Sequence, residues 1–136
     1  MVAAGPPPSL SPAAAAATAL AVVLGLTLNF LIEFSIGMLA FWFEDTQPFF
    51  WIYQKLVFTL GGLFLPLELL PGPLATVAGF LPFAAVTYAP ARIFSGFSVE
   101  VFAAQVALQL AWMAALVVVV AAIYTRAVRK VNIHGG

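Results

Sequence analysis

Between Leu65 and Gly96 the chain is as apolar as a membrane span, yet Pro66, Pro71, Pro73, Pro82 and Pro90 interrupt it every few residues. Proline has no amide hydrogen and its ring clashes with the preceding helical turn, so no straight helix runs through all five. In lipid, backbone groups freed by such breaks must find partners inside protein or in a water-lined cavity. The stretch therefore reads as short half-helices that dip into the edge of the membrane and turn back, packed by longer neighbours.

Composition says that the longer neighbours are membrane helices. Of 136 residues, 64% are hydrophobic and 7% charged, whereas a soluble domain is about 25% charged. Such a chain cannot cover its own surface with polar groups in water. Five acidic and five basic residues cancel, which leaves no basic excess for nucleic acid. Cysteine is absent, which excludes disulfides and thiolate metal sites. The first twelve residues, MVAAGPPPSLSP, carry no Lys or Arg. A secretory signal needs a basic start, so the apolar run from Ala13 reads as a retained span.

Taken in order, residues 1–136 form one transmembrane domain in an all-α, polytopic helix bundle. A Pro-rich N-terminal segment (1–12) is expected to be extended or disordered. A first span (13–43) exceeds the roughly 20 residues that a bilayer needs, and ends at the polar loop Glu44-Asp45-Thr46-Gln47. Pro48 opens a second span (48–66), whose Phe49, Phe50, Trp51 and Tyr53 are placed at a membrane boundary. The proline-broken segment (67–97) follows as a re-entrant hairpin. Ser98 and Glu100 mark the start of a third span (98–125), ahead of a short tail (126–136). Three long spans and one re-entrant helical hairpin are expected.

Two helix faces carry a pattern. Ala21, Gly25, Asn29, Glu33 and Gly37 recur at four-residue spacing in the first span, and Ala103, Ala107, Ala111 and Ala115 do so in the last. Small residues let helices approach closely, and intramembrane polar groups face a bundle interior. Beside the second ridge runs a polar and aromatic stripe of Gln105, Gln109 and Trp112. Arg126, Arg129 and Lys130 follow the last span, which puts the C-terminus on the cytoplasmic side. Counting back with the broken stretch re-entrant, the Glu44-Asp45 loop is cytoplasmic, the hairpin lies at the outer face, and the N-terminus is outside; a stretch that crossed would put both termini inside. An outside N-terminus with no targeting signal is easier to understand in the C-terminal half of a longer chain.

Glu33 is the sharpest single residue. It sits about ten residues from the cytoplasmic end of its helix, roughly 15 Å deep, where a charge costs about 2.5–3.5 kcal/mol unless paired, hydrated or protonated. Lys55 comes within side-chain reach at a similar depth on the next helix. Glu33 and Lys55 then either line a translocation path or form a structural ion pair. Asn29, Gln105 and Gln109 are read as interhelical hydrogen-bonding groups or path residues. Glu68 at the outer mouth is a solvated carboxylate, and Arg92 closes the hairpin against Glu68 or Glu100, or meets lipid headgroups. With Pro66, Pro71, Pro82 and Pro90, these two define a candidate outer gate. Glu44 and Asp45 form a short charged loop that could face a partner. His134, two residues from the end, is assigned nothing. No metal-ligand cluster or nucleophile–base pair is present, and no Gly-rich loop precedes Lys55 or Lys130, so the chain binds no ATP by that device.

Several ordered motifs point to a family. They are Ala40-Phe41-Trp42, Pro66-Leu67-Glu68-Leu69-Leu70-Pro71, Leu81-Pro82-Phe83 with Tyr88-Ala89-Pro90, Gln109-Leu110-Ala111-Trp112, and the tail from Tyr124 to Lys130 and on to Gly135-Gly136. Together they resemble the permease subunits of type 2 ATP-binding-cassette (ABC) transporters, in the bacterial exporter branch with about six spans. The resemblance makes the chain spans four to six of that pattern, a C-terminal portion without the first three spans or their cytoplasmic coupling helix. It implies a location in the inner membrane, a second permease subunit as partner, and a separate ATPase that holds ATP and magnesium, with no cofactor on this chain. Glu44 and Asp45 would then face the ATPase. The apolar interior favours a hydrophobic or amphipathic cargo. Two rival readings stand beside it: a membrane scaffold or assembly subunit whose small-residue ridges only hold partner helices, and half of a proton-coupled secondary transporter with Glu33 as its proton site.

Overall fold

The computed structural model describes residues 11–135, apart from the side chain of His134. The first ten residues of the expected extended segment lie outside the described residues, as does Gly136. All regular structure among the described residues is helical. α1 spans Pro12–Met38 and continues as a 3-10 turn, Leu39–Phe41. α2 is Gln47–Leu60, a 3-10 turn covers Leu67–Leu69, α3 is Gly72–Phe80, α4 is Pro82–Ser95 and α5 is Val99–Gly135.

Local chemistry sets most of these ends. The Ser11 hydroxyl accepts from the Ala14 amide at 3.1 Å and Pro12 occupies the first turn, so α1 begins one residue before Ala13. The Ser98 hydroxyl accepts from the Val101 amide at 3.1 Å and Glu100 lies in the first turn of α5. Asp45 accepts from the Gln47 amide at 2.9 Å, which starts α2 just before Pro48. α5 runs on through the basic tail to Gly135 without a break.

Two helices, Pro12–Phe41 and Val99–Ile133, are long and apolar enough to cross a membrane. The expected second span (48–66) is not formed at full length by α2. Its 14 residues rise about 21 Å, short of the roughly 30 Å hydrocarbon core. The helix stops at Gly61 because Gly62 adopts φ +80°, a left-handed conformation that only glycine takes without strain. The stop comes before Pro66, so proline is not its cause. α3 and α4 together are apolar enough to count as a third crossing, but they meet at 96°.

Packing fixes the directions. α1 and α5 run side by side with the same polarity: Ala17 clusters with Val101 and Phe102 at one end, and Lys130 reaches Phe41 at the other. α4 runs against both, from Ala85 beside Leu28 to Ile93 beside Ala17. α4 is the central element; its Ala84, Ala85, Ala89 and Ile93 are buried. α2 returns from the end of α1 and buries Tyr53 and Val57 against Leu28, Ile32 and Ala85.

The inward face of α1 is Ala14, Ala17, Ala21, Gly25, Leu28 and Ile32. It coincides with the four-residue stripe only at Ala21 and Gly25. Four residues turn a helix by 400°, so the stripe drifts about 40° per step. Asn29, Glu33 and Gly37 are consequently half-buried rather than central. On α5 the Ala103, Ala107, Ala111 and Ala115 ridge is exposed, and Leu108, Gln109, Trp112, Met113 and Leu116 face the other helices.

Candidate functional site

The broken stretch releases backbone carbonyls, and side chains of neighbouring helices receive them. α3 ends at Phe80 because Leu81 is extended and Pro82 opens α4 without an amide hydrogen. The Trp112 indole of α5 donates to the Phe80 carbonyl at 2.8 Å. Thr87 donates its hydroxyl to the Gly61 carbonyl at the end of α2. Pro90 lies inside α4 and removes the donor that would have bonded Val86. The Val86 carbonyl instead faces Gly25 of α1, where an added Cβ would stand 2.6 Å from its oxygen.

Gln109 ties the three central helices at one point. Its Nε2 donates at 2.9 Å to the Ala21 carbonyl of α1 and at 2.9 Å to the Ala85 carbonyl of α4. The residue is fully buried, and its Oε1 has no hydrogen-bond partner among the described residues. Gln105, one turn earlier, lines a groove of about 560 Å³ between α3 and α5, with Thr76, Gly79, Phe80, Ala104 and Leu108 among its walls.

The intramembrane acid has a different partner from the one its depth suggested. Asn29 Nδ2 donates to Glu33 Oε1 at 3.2 Å, one turn along α1. Tyr53 of α2 donates its hydroxyl to Asn29 Oδ1 at 2.6 Å. Lys55 is exposed and forms no ion pair with Glu33. Lys55 lies two positions after buried Tyr53, about 200° around the helix, so the Tyr53 face meets α1 and the Lys55 face does not. Tyr53 was expected at a membrane boundary with its aromatic neighbours. Its signal was present in the i, i+4 pairing with Val57, which marks the inner face of α2.

At the opposite end, Tyr88 donates its hydroxyl to Glu68 Oε1 at 2.6 Å, which pins the 3-10 turn to α4. Leu67 is buried beneath it with Ala78 and Ala84. This hydrogen bond, then the residue's own backbone amide, holds the Glu68 carboxyl below its ordinary range. Arg92 is exposed and acts on Glu68 only through its field. Among the broken stretch's prolines, Pro71 and Pro82 flank or open helices, Pro90 sits within one, and Pro66 precedes the 3-10 turn. Glu44 and Asp45 are exposed in the α1–α2 loop.

Residues 9–135 match the family described as ABC-2 family transporter protein. The chain belongs to the ABC-2 transporter family. This ABC-2 chain is thus a membrane permease domain, a transport component without an ATPase site of its own. No curated protein and no solved structure matches it. Within the ABC-2 chain, the ordered elements on either side of the bend join into one unit through Gln109, Trp112 and Thr87. The tail lysine, expected only to set topology, has a structural partner: Lys130 Nζ donates to the Phe41 carbonyl at 2.7 Å and lies 5.8 Å from the Trp42 ring centre. A cation at the last carbonyls of α1 also meets the negative end of the helix dipole. No sequence periodicity links residues 41 and 130.

Proposed function

We propose that this ABC-2 chain is the permease subunit of an ATP-driven exporter in the bacterial inner membrane, with a hydrophobic or amphipathic cargo and its C-terminus cytoplasmic. A separate ATPase binds ATP and magnesium, docks on the side of the Glu44-Asp45 loop, and drives a pair of permease subunits between two packings of their helices. Residues 67–97 act as a re-entrant hairpin that seals the outer end of the path.

The single observation behind this reading is the 96° bend between α3 and α4, with its depth. About 20 residues span the hydrocarbon core. Counted from Phe41, where Lys130 ties the long helices, 20 residues reach Ala21, the level of the Gln109 node. The bend packs further in, as Phe83 and Ala85 join the cluster of Leu28 and Ile32. The other end of α4 turns back beside Ala17. Both legs then belong to one side of the membrane. Val77 is an exposed residue on α3, and a cysteine there should react with an impermeant reagent from the outside only; labelling from the cytoplasmic side overturns the hairpin.

Transport is tested with the permease pair and its ATPase in proteoliposomes, following an amphipathic fluorescent dye. ATP-dependent movement is expected. Movement that follows a proton gradient and is lost in Glu33→Gln would instead favour the secondary carrier. In the exporter reading, Glu33 with Asn29 and Tyr53 is an interhelical polar contact, and Glu33→Gln changes neither rate nor cargo range. The exposed alanine ridge of α5 suits the scaffold reading as well as it suits a permease pair. Absence of dye movement from a complex with bound, active ATPase would decide for the scaffold.

A further inference from the structure

We infer that the end of the bundle where α1 finishes and α5 leaves the membrane binds an anionic phospholipid. A groove of about 300 Å³ lies there, lined by Leu39 and Trp42 from the end of α1 and by Ile123 and Arg126 from α5. Its two aliphatic walls, Leu39 and Ile123, each lie one turn deeper along their helices than Trp42 and Arg126. The groove is thus apolar towards the membrane and cationic at its rim.

Charge at the rim is concentrated on one arc. At 100° per residue, Arg129, Arg126 and Lys130 sweep about 100° of the α5 circumference and adjoin Ile123. Lys130 is already engaged with the Phe41 carbonyl and faces the Trp42 ring, so it holds one wall of the groove in place. Arg126 and Arg129 are exposed and form no ion pair with Glu44, Asp45 or any other acid among the described residues. Phe41, Trp42, Phe43 and Tyr124 are exposed around them, the aromatic signature of interfacial depth.

The two halves of the site select the occupant together. A soluble anion would satisfy the guanidinium forks but leave the aliphatic groove empty. A zwitterionic lipid would fill the groove but bring its own cation to a cationic rim. A phospholipid with net negative charge supplies phosphate oxygens in the bidentate geometry that arginine favours, and an acyl chain to lie between Leu39 and Ile123. The assignment is independent of the cargo and of the direction of transport.

Native mass spectrometry of the full chain in detergent, titrated with phosphatidylglycerol or phosphatidylcholine, tests it. Phosphatidylglycerol should bind in preference, and Arg126→Gln with Arg129→Gln should reduce its affinity about five-fold per charge removed. Arg126→Lys with Arg129→Lys keeps the charge without the fork and should lose less. Ile123→Trp fills the groove at unchanged charge and should weaken binding as well, with helix content checked by circular dichroism. Arg92→Gln, which removes one positive charge at the far end, should leave the preference intact. Equal binding of the two lipids, an Ile123→Trp variant that binds normally, a loss in Arg92→Gln as large per charge as in the Arg126→Gln, Arg129→Gln variant, or full competition by free glycerol phosphate would each overturn the site.

Discussion

Gln109 donates twice from one nitrogen and leaves its own oxygen buried and without a partner among the described residues. Both acceptors are helical carbonyls, and the i+4 residues that normally serve them, Gly25 and Ala89, have amides to donate. Removing the glutamine therefore orphans neither. Gln109→Leu forfeits two interhelical hydrogen bonds of about 0.6 kcal/mol each and removes a buried acceptor, so its net cost should stay within about 1 kcal/mol. Gln109→Ala leaves a cavity between three helices and should cost about 2 kcal/mol or more. Unfolding of the two variants in mixed detergent micelles checks the order. Gly25→Ala should cost roughly 1–3 kcal/mol in the same assay, since its Cβ would meet a backbone oxygen, not a yielding side chain. Ala107→Leu, on the exposed face of α5, should leave the chain's own stability within about 0.5 kcal/mol.

At the scale of elements, the bend between α3 and α4 depends on donors from elsewhere. Pro82 prevents the chain from continuing α3, and Trp112 gives the Phe80 carbonyl the partner that the missing turn would have supplied. Trp112→Phe keeps most of the packing but no donor. It should raise amide exchange at the end of α3 while α1 stays protected. The Glu68–Tyr88 tie makes a separate, acid-sensitive join. The Glu68 carboxyl is held below its ordinary value in the folded chain, so the tie contributes fully above about pH 4.3. Its contribution fades as pH falls through the lowered folded value. Protection of the Leu69 and Leu70 amides, taken relative to the intrinsic exchange rate at each pH, should therefore fall in acid in the natural chain. In Glu68→Gln that protection should be independent of pH over that range. The site is exposed, so the change stays local and global stability barely moves.

Across the whole molecule, two parallel long helices flank a short central one, and much of the apolar surface is uncovered. Leu26 and Phe30 of α1 and Val117 and Val118 of α5 are exposed, as lipid-facing residues must be. Apolar excess, the broken character of residues 65–96, the caps at Ser98 and Pro48, and the family itself were all legible from residues alone. The family rests on the ordered motifs; the others rest on local chemistry: side-chain transfer into lipid, a missing amide hydrogen, a hydroxyl near free amides. The end of α2 was half legible. Two adjacent glycines weaken any helix, but only the left-handed backbone at Gly62 makes them a stop, and so leaves the second span short of a full crossing. Which faces meet was not legible. A four-residue spacing drifts around a helix, so the α1 stripe left the core after Gly25 and the α5 alanine ridge turned outward. Depth alone placed Glu33 beside Lys55, yet depth says nothing of azimuth: Asn29 donates to that carboxylate and is itself held by Tyr53. The ties of Gln109 to Ala21 and of Lys130 to Phe41 join residues 88 and 89 positions apart. Sequence by itself determined what this chain must be embedded in and where its helices break. Only the tertiary structure decided which side chain receives each freed carbonyl, because that depends on the rotation of one helix against another, which no local pattern specifies.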